Sequence, residues 1–388
     1  MWWFASPRIV FGSDSLEFLE TLKGKALIVT DENLVKTGVV DKITKRLKKA
    51  GVEFEIYDRV EPDPSFEIVM EGVGIARTFQ PDMIIGVGGG SSLDAAKGIR
   101  AIYENPDVDP EEISPWTELE EKGVKLILIP TASGSGSEGS NAIVLTKKEE
   151  NRKVASIHPA IMADYAIVDP EMVRDLPLKV AAFTGLDALS HAMDAYVSAW
   201  KNDFTDGLCI QACKLLFKYL PRACTDRSDG EAVEKVHNAA TIAGLAIGSS
   251  QAGLSHSIGH SLGAVFHIPH GFACGIALPY TTKYYSKFVI EQYEELAYHL
   301  GIQEKGEKAI DSLVDMTMDL LEKINVPGNF KELLEQYGIE RNAFEEKLDI
   351  LVNNASLDNT VLTLVEIPSE EDFRKLFLYA YEGKNIDF

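Results

Sequence analysis

The stretch IIGVGGGSSLDAAKG, residues 84–98, decides how the N-terminal half is read. A buried-looking apolar run enters Gly88-Gly89-Gly90-Ser91-Ser92, and a helical pattern follows. Glycines let a backbone take positive φ and approach a ligand closely. The free amides at the start of the next helix favour an anion, with help from the helix dipole. A pyrophosphate suits that geometry. The spacing is neither GxGxxG nor a Walker loop. Taken alone, the stretch is equally a plain tight strand–helix turn.

The flanking sequence favours the first reading. Short apolar runs at 26–30 (ALIVT), 54–58 (FEIYD), 83–89 and 125–131 (KLILIPT) read as strands. Segments 142–148 and 163–169 also look extended. Helical spacing occupies 39–50, ending at Gly51, and also 65–78 and 92–103. Continuous apolar strands alternating with helices imply a mostly parallel sheet covered on both faces. Beyond Pro177 the character changes. Residues 178–198, 205–219, 230–247, 287–300 and 306–323 all carry helical periodicity. The expected architecture is a Rossmann-like α/β dinucleotide-binding domain over 1–177 and an all-α domain over 178–388. A second small-residue loop, PTASGSGSEGS (130–140), follows a strand and is expected to line the ligand crevice. Asp31 ends the first of these strands, where a carboxylate can hold ribose hydroxyls or simply cap the next helix.

Composition narrows the partners. The chain has 388 residues and a net charge of −22, which repels phosphate backbones and anionic lipids. Neither nucleic acid nor membrane is expected. No run reaches the roughly 18 apolar residues of a membrane span. The start, MWWFASPRIVFG, lacks a basic region followed by an apolar run, so it does not read as a signal peptide. Four cysteines without a CxxC pair suit a reducing compartment, and a cytoplasmic location is expected. Cys209 and Cys213 share a helix face and read as small buried apolar groups.

Four of the eight histidines fall between His256 and His270, in HSIGHSLGAVFHIPH. Neutral imidazole is a common metal ligand. A second segment, TGLDALSHAMDAY (184–196), sets Asp187 and His191 four apart on one helix face, as His256 and His260 are. Two helices would bring Asp187, His191 and His256 together, with His270 closing from a loop. The candidates outnumber the places, since His256, His260, His267 and His270 cannot all join Asp187 and His191. Single histidines at 158, 237 and 299 read as structural or surface groups.

Together these motifs resemble the iron-containing (group III) alcohol dehydrogenase family nearly end to end. The resemblance runs through FASPRIVFG (4–12), GGGSSLDAAK (88–97), PTASGSGSE (130–138), DLPLKVAAFTGLDALSHAMDAY (175–196) and GLSHSIGHSLGAVFHIPHG (253–271). It implies a dehydroquinate synthase-like architecture. It also implies that Asp187, His191, His256 and His270 bind Fe²⁺, with Zn²⁺ as the alternative, and that His260 is a catalytic proton-relay or positioning group. His267 is left structural. For the cofactor it implies Asp31, Gly89, Gly90, Ser91, Asp94, Thr131, Ser135 and Lys153. Asp31 would favour NAD over NADP, because a carboxylate repels a 2′-phosphate. A homodimer paired through the apolar N-terminal strand is implied as well.

The implied reaction is reversible oxidation of a small primary alcohol or diol to the aldehyde with NAD or NADP. One alternative is a glycerol-type polyol dehydrogenase of the same architecture, which uses a different ligand set. Another is a nucleotide- or metal-binding protein without turnover. The sequence departs from the family pattern in three places: Asp358 is followed by NTVLTLVEIP rather than an NPR segment, EPDPS (61–65) stands for PNP, and Asp194 stands for glutamate.

Overall fold

The structure is a computed structural model that describes residues 4–150 and 152–388. The apolar start read above as a dimer-pairing strand falls partly on Met1–Trp3, outside the described residues. The chain divides into two compact units, Met1–Asp175 and Leu176–Phe388.

The first unit is α/β. Its strands are β1 (Arg8–Phe11), β2 (Lys25–Val29), β3 (Glu53–Tyr57), β4 (Met83–Gly88), β5 (Lys125–Pro130), β6 (Ala142–Lys147), β7 (Arg152–Ile157) and β8 (Tyr165–Val168). Six of them form one sheet in the order β1-β8-β5-β4-β2-β3, and all its pairings are parallel. Alternate residues of each strand enter opposite cores, as the pleat requires. Leu27, Val29, Ile84, Leu126 and Leu128 face one core. Ala26, Ile28, Ile85, Ile127 and Ile129 face the other. Helices α3 (Phe66–Phe79) and α4 (Gly90–Glu104) pack on the first core, and α2 (Val39–Ala50) packs on the second. The short α1 (Glu32–Lys36) follows β2. Helix α2 ends where the sequence suggested: Gly51 takes φ 71° and its N–H caps Leu47 and Lys48.

Three features differ from the sequence reading. The 142–148 segment is a strand, but β6 pairs antiparallel with β7 in a separate two-stranded ribbon. Strand β7 carries no continuous apolar run to announce it. Strand β1 has only four residues at the sheet edge, too few for a pattern.

The described residues of the second unit contain helices and no strands. They are α5 (Leu178–Val197), α6 (Asp203–Thr225), α7 (Gly230–Ser250), α8 (Leu254–Phe266), α9 (His270–Tyr285), α10 (Ile290–His299), α11 (Glu307–Lys323), α12 (Phe330–Glu335), α13 (Arg341–Ser356) and α14 (Glu370–Glu382). A 3₁₀ segment, Asn359–Thr363, joins α13 towards α14. Helix α6 continues through Pro221, where the sequence reading stopped it. A proline removes one backbone bond, and buried Leu220, Ala223 and Cys224 hold the last turn in the core. No described helix is long and apolar enough to cross a membrane.

Candidate metal centre and dinucleotide turn

The candidate metal centre is built on three closely packed helices. Small residues set the spacing. A Cβ on Gly271 of α9 would collide with the Phe183 carbonyl of α5, and one on Gly275 would lie 2.7 Å from Leu186 Cβ. A Cβ on Gly259 of α8 would collide with Cys274 of α9. Only glycine lets these backbones approach so closely, and only that approach lets short side chains from three helices converge.

Asp187 and His191 project from one face of α5. His256 stands in the first turn of α8. His270 is the first residue of α9, directly after Pro269, rather than a loop residue as the sequence reading had it. Proline at an N-terminal boundary is a common helix start, and the turn signal masked the helix behind it. The four side chains each offer a ligand atom, all within 4.8 Å of one another. Asp187 Oδ1 lies 3.1 Å from His270 Nε2 and 3.8 Å from both His191 Nε2 and His256 Nε2. The His191 and His256 rings stack at 4.6 Å.

These residues fit a divalent cation. Asp187 Oδ1 and His256 Nε2 are buried and make no hydrogen bond of acceptable geometry. Buried polar atoms are rarely left so. Burial alone would raise the Asp187 carboxyl, but His191, His270 and His256 outweigh it and hold it well below the usual carboxylate range. Burial pushes the His191 imidazole down to about 4, so it is neutral and its lone pair is available. Burial alone would lower His256 and His270, but Cys274 and Asp187 outweigh it, with Asp194 acting on His256 as well, so His256 is held well above the usual imidazole range and His270 is pushed up to about 10. An imidazole ligates only when neutral, so a divalent cation would displace the protons from these two rings.

Asp194, noted in the sequence only as a departure from the family, organises this centre. Its Oδ2 accepts from His256 Nδ1 at 2.8 Å, Ser255 Oγ at 2.7 Å and Gly253 N at 3.0 Å. One carboxylate thus caps the N-terminus of α8 and orients the His256 ring, with Nε2 directed toward Asp187. The spacing offered a signal, since Asp194 lies seven residues after Asp187 on the same face of α5.

His260 lies beside the cluster and is not one of its four residues. Its ring stacks on His270 at 5.0 Å, and its Nδ1 is 2.9 Å from Asp358 Oδ2. His267 terminates α8 in the left-handed region, at φ 55°. His158 caps a 3₁₀ turn by accepting from Ala160 N.

In the first unit the chain reverses direction across the sheet between β2 and β4, which are neighbours. Ligands of open α/β sheets bind beyond the carboxyl ends of strands at such a switch point. Asp31 follows β2 and Gly88–Ser91 follow β4. Gly89 precedes α4 in the N-cap position and offers no side-chain cap, so the first amides of a fifteen-residue helix are open to an anion. A Cβ on Gly89 would meet nothing within 4 Å, whereas one on Gly90 would lie 3.1 Å from Ser135. The second loop is therefore seated on the turn, and Thr131 N bonds Gly88 O at 2.9 Å. Ser91 Oγ accepts from Asp63 N at 3.3 Å, and Lys153 Nζ pairs with Asp63 Oδ1 at 2.6 Å. Asp31 Oδ1 caps α1 through Asn33 N and Leu34 N.

Asp94 points inward. It accepts from Ser137 Oγ at 2.5 Å and Val144 N at 2.9 Å, and lies 3.6 Å from buried Lys97. Lys97 in turn donates to Ser137 Oγ and the Ala142 carbonyl, both at 2.8 Å. This buried pair ties α4 to the 130–140 loop.

Residues 6–170 match the iron-containing alcohol dehydrogenase family, and 181–381 match the Fe-containing alcohol dehydrogenase family, C-terminal. The chain belongs to this family and is an oxidoreductase, a nicotinamide-linked alcohol dehydrogenase of the iron type. It is 37% identical to the NADPH-dependent butanol dehydrogenase of Clostridium saccharobutylicum, over 99% of both chains. It is 35% identical to the bifunctional aldehyde-alcohol dehydrogenase of Escherichia coli, over 99% of this chain but 47% of that one. Among solved structures, the alcohol dehydrogenase from Oenococcus oeni superimposes with a TM-score of 0.91 at 30% identity, covering 98% of this chain and 100% of that one.

Proposed function

We propose that this protein interconverts short- to medium-chain primary alcohols or diols and their aldehydes, using NAD in preference to NADP. Asp187, His191, His256 and His270 hold the metal, Fe²⁺ or Zn²⁺. The observation that carries this reading is the cluster itself, in which the buried atoms Asp187 Oδ1 and His256 Nε2 are left without hydrogen bonds. When bound, the ion supplies Lewis acidity at the substrate oxygen and the nicotinamide supplies a hydride acceptor or donor. Asp187 contributes the only anionic ligand, so the set leaves a divalent cation net positive. Asp194 holds His256 in its ligating tautomer. His260 is the group beside the ligand set that handles the substrate proton.

Gly89, Gly90, Ser91, Thr131 and Ser135 bind the pyrophosphate region, with Lys153 held nearby through Asp63. Asp94 acts through Lys97 to set the loop. Asp31 sets cofactor choice: one oxygen caps α1, and its charge disfavours a 2′-phosphate. That preference departs from the NADPH-dependent butanol dehydrogenase relative. The dinucleotide-binding role falls to the N-terminal unit and the metal to the helical one. The protein acts as a homodimer, a reading that rests on the family resemblance, in the cytoplasm, a reading that rests on its four cysteines without a CxxC pair.

A panel of 1-butanol, ethanol, 1,2- and 1,3-propanediol and glycerol, assayed with NAD and with NADP, tests the reading. The expected result is higher kcat/KM for a primary alcohol or 1,3-propanediol than for glycerol, and higher with NAD. A strong preference for glycerol would overturn the substrate class, and a preference for NADP would overturn the role of Asp31.

A further inference from the structure

We infer that Asp358 is a positioning residue for His260, fixing that imidazole as the Nδ1–H tautomer so that Nε2 is left as a proton acceptor. The inference rests on the reading of His260 as the group that handles the substrate proton. Asp358 lies in the segment where the sequence leaves the family pattern.

The geometry is closed on both sides of the carboxylate. His260 Nδ1 lies 2.9 Å from Asp358 Oδ2. An ionised carboxylate only accepts, so the proton of this bond sits on Nδ1 and the lone pair on Nε2. The other oxygen, Oδ1, accepts from Thr360 N at 2.9 Å and from Thr360 Oγ1 at 2.7 Å. Asp358 therefore caps the 3₁₀ segment Asn359–Thr363 and cannot turn away from His260 without losing that cap.

The segment is itself tied down. Thr363 Oγ1 donates to the Ala252 carbonyl at 2.7 Å, and Ala199 N donates to the Thr363 carbonyl at 2.8 Å. Helix α8, which carries His260, is bound to α13 by Ser257 Oγ donating to Ala355 O at 2.9 Å and Ser261 Oγ to Leu351 O at 2.7 Å. Both partners of the His260–Asp358 bond are thus held by independent hydrogen bonds. The His260 side chain keeps 40% of its surface exposed while that of Asp358 keeps 19%, so the acceptor is reachable and its anchor is sheltered. Thr360 supplies both donors to Oδ1, and it does so in a sequence that lacks the family's NPR segment.

Asp358→Asn separates orientation from simple structure. The asparagine carbonyl can still accept from Thr360 and keep the cap, but its NH₂ then faces His260 Nδ1 and selects the opposite tautomer. The metal-replete enzyme would be compared as wild type, Asp358→Asn, His260→Ala and the double variant, with metal content and melting temperature measured for each. The expected result is a kcat lower by on the order of 10²-fold in each single variant, in the range typical of a lost proton-transfer group. KM for alcohol and for nicotinamide should change little, and the double variant should be no slower than His260→Ala. Imidazole ¹⁵N spectra of the Zn²⁺-loaded protein should show His260 protonated at Nδ1 in the wild type and at Nε2 in Asp358→Asn. Unchanged kcat or an unchanged tautomer in Asp358→Asn, or additive losses in the double variant, would overturn the positioning role and leave His260 standing. Full kcat in His260→Ala would instead remove the reading beneath it, and the positioning role with it.

Discussion

Asp194 gathers the His256 ring, the Ser255 hydroxyl and the start of α8 onto one oxygen. Neutralising it removes the anion that favours the Nδ1–H form of His256 and that complements the α8 dipole. Asp194→Asn is expected to weaken metal binding by roughly 10- to 100-fold, the usual cost of losing such a supporting carboxylate. Competition with a chromogenic chelator measures it directly; affinity equal to wild type would mean that His256 needs no such support. At this scale the sequence was informative where spacing is local. The i,i+4 pair Asp187/His191 and the dense run from His256 to His270 were visible as patterns, and the resemblance separated ligands from neighbours. The partners of Asp194 and Asp358 were not visible. They lie 62 and 98 residues away in sequence, and only tertiary packing joins them.

At the scale of elements, the centre depends on how closely α5, α8 and α9 approach. Gly271→Ala would press a methyl into the Phe183 carbonyl, a backbone atom that cannot rotate aside. Overpacking of this kind costs about 1–3 kcal/mol when side chains can adjust, and the cost should sit at the upper end here. The expected outcome is a lower urea midpoint together with reduced metal occupancy, since α9 carries His270 and α5 carries Asp187. Stability and occupancy matching wild type would mean that the helix contact is slack. Elements with a clear period were legible: α2 and the buried strands β2, β4 and β5 are read directly from apolar runs bounded by glycine, proline or charge. Others were hidden for physical reasons. β1 is too short to show a period, and β7 lies in a ribbon outside the parallel sheet. Helix α9 was read as a turn because Pro269 precedes it, and it is buried along most of its length, so no polar face marks a period.

For the molecule as a whole, each unit supplies one part of the chemistry. The parallel sheet puts an uncapped helix start at its switch point, and the helical unit gathers three imidazoles and a carboxylate at one point. Alternation of strands and helices followed by helices alone made this division readable from sequence. Lys97 shows the limit of that reading: a lysine on an amphipathic helix looks like solvated charge, yet here it is fully buried against Asp94, Ser137 and the Ala142 carbonyl. The Asp187, His191, His256 and His270 cluster is proposed to hold a metal without which the alcohol is not oxidised. The most direct measurement is anaerobic purification with elemental analysis, followed by NADH formation from 1-butanol before chelation, after chelation and after readdition of Fe²⁺ or Zn²⁺, with His256→Ala alongside. Near-stoichiometric metal is expected, with activity that disappears and returns with it and no activity in His256→Ala. Metal-free protein that turns over, or undiminished turnover in His256→Ala, would contradict that proposal.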